Sequence, residues 1–121
     1  MIDLREIDNI YLVAGPTDMR KGSDGLSAVV QYQLFMDPFS RNIFIFCGKR
    51  KRTIKILEWD KNGFWVYTKK LAGKDRFRWP KPNENGTVII NRRQLEWLLD
   101  GLDISQKNAH HTLTPVLEIP L

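Results

Sequence analysis

The hydrophobic period of this chain changes at residue 43, and that change constrains the fold more than any other feature. The run IFIFC (43–47) is apolar throughout and rich in β-formers, the pattern of a central strand covered on both faces. TIKILEW (53–59) and FWVYTKKL (64–71) follow, joined to each other by Asp60-Lys61-Asn62-Gly63, a hairpin turn signal. Three such segments in succession predict an antiparallel meander. Its first connection, Gly48-Lys49-Arg50-Lys51-Arg52, then becomes an exposed tip carrying four consecutive positive charges.

On the N-terminal side, IYLVA (10–14) stopped by Gly15-Pro16 reads as a buried strand. Leu26, Val29, Val30 and Leu34 are spaced as one face of a helix, which predicts a helix over about 24–35 with Ser23 or Asp24 as N-cap. Asp37-Pro38-Phe39-Ser40 reads as a turn with proline second. Beyond the meander, residues 72–86 hold Gly73, Pro80, Pro82 and Gly86 and are expected to be irregular, although Arg76-Phe77-Arg78-Trp79 alternates like an edge strand. TVIIN (87–91) predicts a further strand. Asn91 and Gln94 then form a capping box ahead of Leu95, Leu98, Leu99 and Leu102, an amphipathic helix over about 92–101. The expected fold is a single α+β domain, an antiparallel sheet of four or five strands with two packed helices. Residues 1–104 form the domain and 105–121 an extended C-terminal tail. Val116, Leu117, Ile119 and Leu121 make the tail apolar, while Pro115 and Pro120 bar it from a helix or central strand. The expectation is that residues 112–121 lie along a sheet edge or apolar groove of the same molecule or of a second copy.

Charge is segregated along the chain. Residues 41–81 hold thirteen Lys and Arg against three acids, whereas the remainder holds six bases and eleven acids. Such polarity concentrates a positive field where a polyanion is steered and held. Phe44, Phe46, Trp59, Phe64, Trp65, Tyr67, Phe77 and Trp79 are interleaved with those bases. Two readings of the rings stand open: platforms for stacked bases, or the core of a sheet.

Several chemistries find no support. A single cysteine, Cys47, cannot form an internal disulfide, and it stands far from His110-His111 with no second metal-ligand pair. GKRKRT lacks the phosphate-loop pattern, and no serine sits in a nucleophile elbow. Asp18, Asp24 and Asp37 are explained equally well as cap or turn formers, and nothing in their spacing selects a metal-holding trio. No enzyme, cofactor or metal is therefore expected. With no apolar run long enough to span a membrane and a charged N-terminus, the expected location is cytoplasmic.

YLVAGPTDMRKGSDGLSAVV, DPFSRNIFIF, KRTIKILEWDKNGFWVYTKKL, RFRWP and QLEWLLDGLD, in that order and spacing, closely resemble TnpB, the Orf2-like accessory protein of insertion sequences of the IS-sixty-six type. The resemblance covers roughly residues 9–104. It implies a part in transposing a bacterial mobile element beside a separate transposase that carries the catalytic acids. It does not imply a molecular task. Arg41 departs from the family, where Gly usually follows the DPFS block.

The resemblance implies an accessory role on the element and the basic residues imply a polyanion partner; together they make the expected function non-catalytic binding of DNA, at duplex element ends. The candidate contacts are Arg20, Lys21, Lys49, Arg50, Lys51, Arg52, Lys55, Lys69, Lys70, Lys74, Arg76, Arg78 and Lys81. The alternative is an adaptor that docks on the transposase, and a homodimer would double the basic surface. Arg20 and Lys21 stand near a helix N-terminus, where they can bind an anion or serve the shape of the loop alone.

Overall fold

The computed structural model describes residues 4–106; the apolar tail segment 112–121 lies outside them. The chain runs through a short 3-10 turn (Leu4–Glu6), strand β1 (Ile10–Val13), helix α1 (Ser23–Ala28), strands β2 (Ile43–Cys47), β3 (Thr53–Asp60), β4 (Gly63–Lys70) and β5 (Thr87–Ile90), and helix α2 (Arg92–Leu99). The strands form one sheet in the order β4-β3-β2-β1-β5. All five residues of β2 are buried, as its unbroken apolar run requires of a central strand. The β2–β3–β4 meander is antiparallel as expected, with Cys47 opposite Ile54 and Asp60 opposite Gly63.

The α+β class and the two packed helices are present, and the strands make three antiparallel pairings. The remaining pairing differs from the sequence expectation: β1 lies parallel to β2, with Ile10 opposite Ile43. The cause is the connection. Residues 14–42 carry α1 across one face of the sheet, and a crossover of that length returns the chain in the same direction. β5 then pairs antiparallel with the outer edge of β1.

Alternation along the strands sends side chains into two cores. Ile10, Leu12, Ile43, Ile45, Ile54 and Ile56 meet Leu95 and Leu98 of α2 and the rings of Phe77 and Trp79. On the opposite face Val13, Phe44, Phe46 and Leu57 meet Leu26, Val29 and Val30. The helix expected over 24–35 is in two parts: α1 ends at Ala28, and a wider π-helical turn spans Val29–Gln33. Phe35 closes it at a φ of 55°, and its ring is 86 % exposed. Gly86 lies beneath this end, where an added Cβ would stand 2.7 Å from Leu34 Cδ2.

The N-cap of α1 is Gly22 rather than Ser23 or Asp24. Gly22 is the last extended residue, and its carbonyl accepts from Leu26 N at 2.9 Å, so Ser23 and Asp24 fall in the first turn. The capping box at α2 forms as expected, with Gln94 N donating to Asn91 Oδ1 at 2.8 Å and Asn91 N donating to Gln94 Oε1 at 2.9 Å. Arg41 has a structural use. Its Nε donates to the Glu6 carbonyl at 3.1 Å and lies 3.7 Å from Asp8, fastening the N-terminal turn to the start of β2.

Candidate nucleic-acid interface

The turn between β2 and β3 is held from inside. Gly48 N donates to Thr53 O at 3.0 Å, and Lys51 N to Gly48 O at 2.9 Å, with Lys51 in the left-handed region at φ 59°. Gly48 is buried against Met19, whose Cγ would stand 2.7 Å from an added Cβ. The turn therefore sits over the loop that follows β1. The side chains of Lys49, Arg50 and Lys51 are left exposed.

The segment after β4 wraps this turn. Leu71 N donates to Arg52 O at 2.8 Å, and Phe77 N to Lys51 O at 2.6 Å. Arg76 Nη1 donates to the Arg50 carbonyl at 2.7 Å, while Arg52 Nη2 donates to the Gly73 carbonyl at 2.6 Å. Phe77 and Trp79 are buried beneath, the indole donating to Val13 O at 2.9 Å. Residues 76–79 thus alternate in burial as a strand would, but they join no ladder: two rings anchor the segment and Arg76 and Arg78 face outward. Two basic stretches separated in sequence become one surface.

That surface has two concavities. One, of about 810 Å³, brings together Arg20, Lys49, Arg50, Arg52 and Lys70, with Asp18 the single acid among the described residues. The other, of about 990 Å³, gathers Lys51, Lys74, Arg76, Arg78 and Lys81 against Asp75, Asp100 and Asp103. Five bases face one acid in the first and three in the second, so the first has the stronger positive field. Thr17 and Thr53 also line the first concavity. Nothing local in the sequence marks them or the screening acids Asp100 and Asp103, which arrive by long-range folding.

Three candidates stand apart. Lys55 Nζ donates to the Lys21 carbonyl at 2.9 Å, tying β3 to the loop before α1. Lys21 packs its own stem beside Gly25, with Cβ and Cγ 3.0 Å from where a Cβ there would lie. Lys69 Nζ donates to the Leu99 carbonyl at 2.7 Å, where it satisfies an orphan acceptor at the C-terminus of α2 and places a cation at the negative end of the helix dipole. Arg20 is near the turn but is engaged by Asp18, whose Oδ1 accepts from Arg20 N at 2.9 Å and Oδ2 from Nη2 at 2.8 Å. These bonds hold the Asp18 carboxyl well below the usual carboxylate range and raise Arg20 in turn. Arg93, in the first turn of α2, lies over the Trp97 ring at 5.2 Å.

Of the interleaved rings only Phe77 and Trp79 line the basic concavities, and both are buried rather than offered for stacking. Phe44, Phe46, Phe77 and Trp79 are core residues, and Trp59 and Phe64 pack with Phe39 in one aromatic group. Trp65, 55 % exposed, bonds Asp60 at the far hairpin, and Tyr67 donates to Glu58. Among the described residues no group of three His, Cys, Asp or Glu is arranged to hold a metal, and no helix is long and apolar enough to cross a membrane. His110 and His111 lie outside the described residues.

The family model described as IS66 Orf2 like protein matches residues 8–109. Two relatives come from Sinorhizobium fredii, both described only as uncharacterized. Protein y4hO is 36% identical over 94 residues, covering 78% of this chain and 80% of its own. Protein y4jC is 33% identical over 94 residues, covering 78% and 79%. No solved structure matches. The chain belongs to the IS66 Orf2-like family, accessory proteins of insertion-sequence transposition.

Proposed function

We propose that this accessory protein holds the DNA of its element by phosphate contacts, as a non-catalytic factor, through the β2–β3 turn and the two concavities beside it. The observation that carries the reading is the wrapping of that turn by residues 71–79, which gathers bases from two stretches of sequence at one end of the sheet. Lys49, Arg50, Lys51, Lys70, Lys74, Arg76, Arg78 and Lys81 are the contact residues, since all are exposed there. Lys21, Lys55 and Lys69 support the fold instead. Among the described residues no large exposed ring accompanies the bases, so affinity comes from the backbone of a duplex rather than from stacked bases.

A second reading, docking on the separate transposase, draws on the exposed rings of Tyr32, Phe35, Phe39 and Trp65, which lie outside the basic surface. The two separate in one experiment. Purified protein is titrated onto labelled duplex and single strands, and then onto transposase with and without nuclease. The DNA reading predicts binding to duplex alone, with no preference for single strands, and loss of any transposase association on nuclease treatment. Association that survives nuclease, without binding to free duplex, would establish the adaptor reading instead.

A further inference from the structure

Among the described residues, the face of the sheet that carries α2 is incompletely covered. Between β3–β4 and α2 runs an apolar groove of about 600 Å³, floored by Leu4, Ile54, Ile56, Tyr67, Leu95 and Leu99. Ile54, Ile56 and Leu95 belong to the core, with Leu4, Tyr67 and Leu99 packed at its margin, so the groove opens directly onto the hydrophobic interior. Its polar border holds Arg5, Lys69 and Arg92 against Glu96. An apolar floor with a mainly cationic border fits an aliphatic segment that carries an acid.

The chain contains such a segment. Residues 112–121 read TLTPVLEIPL: five aliphatic side chains, one acid at Glu118, and no base. Pro115 and Pro120 remove two backbone donors that a groove would otherwise leave unsatisfied. The path is short enough. Gln94 Nε2 donates to the Ile104 carbonyl at 3.3 Å, which brings the chain back beside α2. From Gln106 to Val116 ten residues span up to ~33 Å, against roughly 10–12 Å for the helix they must cross. We propose that residues 115–121 of the same molecule occupy this groove, Val116, Leu117 and Ile119 covering the floor and Glu118 facing the cationic border. The tail then completes the core on the α2 face.

Cysteine pairing in the full chain tests this. Cys47 is fully buried, with burial pushing its thiol up to about 11, so it stays silent under mild oxidation. Glu96→Cys, on the groove border, is combined with Leu117→Cys; the control combines Leu117→Cys with Asn62→Cys at the β3–β4 turn. The groove pair should close within one chain at least tenfold faster than the control, independent of protein concentration. Equal rates would overturn the proposal, and so would a bond formed only between chains as concentration rises. A second variant, Leu117→Asp with Ile119→Asp, should lower the melting temperature by several degrees. An unchanged melting temperature would contradict tail docking.

Discussion

Two side chains near the basic turn illustrate how environment decides a residue's part. Arg50 and Arg52 are two positions apart, yet Arg50 is exposed while Arg52 reaches the Gly73 carbonyl and has its Nε buried. Replacing Arg50 with Ser should leave stability within about 0.5 kcal/mol and weaken DNA binding. Replacing Arg52 with Ser should cost about 0.5–1.5 kcal/mol, because its charged bond to the Gly73 carbonyl is lost; urea melts of both variants check the contrast. Asp18 supplies a pH dependence. Its native carboxyl is held below its unfolded value by Arg20, so the pair stabilises the fold above about pH 4, the ordinary range for Asp, and the contribution is lost as pH falls below it. Asp18→Asn should therefore flatten the acid limb of the urea midpoint between about pH 5 and pH 2, and an unchanged limb would show the pair to be energetically idle.

Among the elements, those built from local signals were legible in the sequence. The meander, its two turns and the α2 capping box rest on residues a few positions apart, and each stands where the pattern put it. Asn91→Ala should accordingly destabilise the protein by about 1 kcal/mol, read from denaturant midpoints. What distance decides was not legible. The parallel pairing of β1 depends on the whole crossover, and the π turn at Val29–Gln33 has no local signal that we can name. The uses of Lys55 and Lys69 were hidden for the same reason, since their carbonyl partners lie 34 and 30 residues away. Lys69→Ala should loosen the end of α2 at a cost of about 0.5–1.5 kcal/mol while leaving DNA affinity nearly unchanged. Thermal melts and binding titrations together test that separation.

At the scale of the molecule, strand direction decides where the charges collect. β1, β2 and β4 run toward one end, where the loop after β1, the β2–β3 turn and the chain leaving β4 meet and the bases gather. The opposite end carries the aromatic group of Phe39, Trp59 and Phe64 and the exposed Trp65. Charge segregation in the sequence foretold the basic end, whereas its division into two concavities depended on Phe77 and Trp79 packing beneath residues 71–79. The salt dependence of duplex binding tests the central claim most directly. The logarithm of affinity should fall linearly with the logarithm of salt concentration, and the combined change of Lys49, Arg50 and Lys51 to Ser should flatten the slope by about 0.9 for each phosphate that is no longer neutralised, with the melting temperature preserved. A folded triple variant that keeps the wild-type slope would contradict the assignment of the DNA surface to this turn.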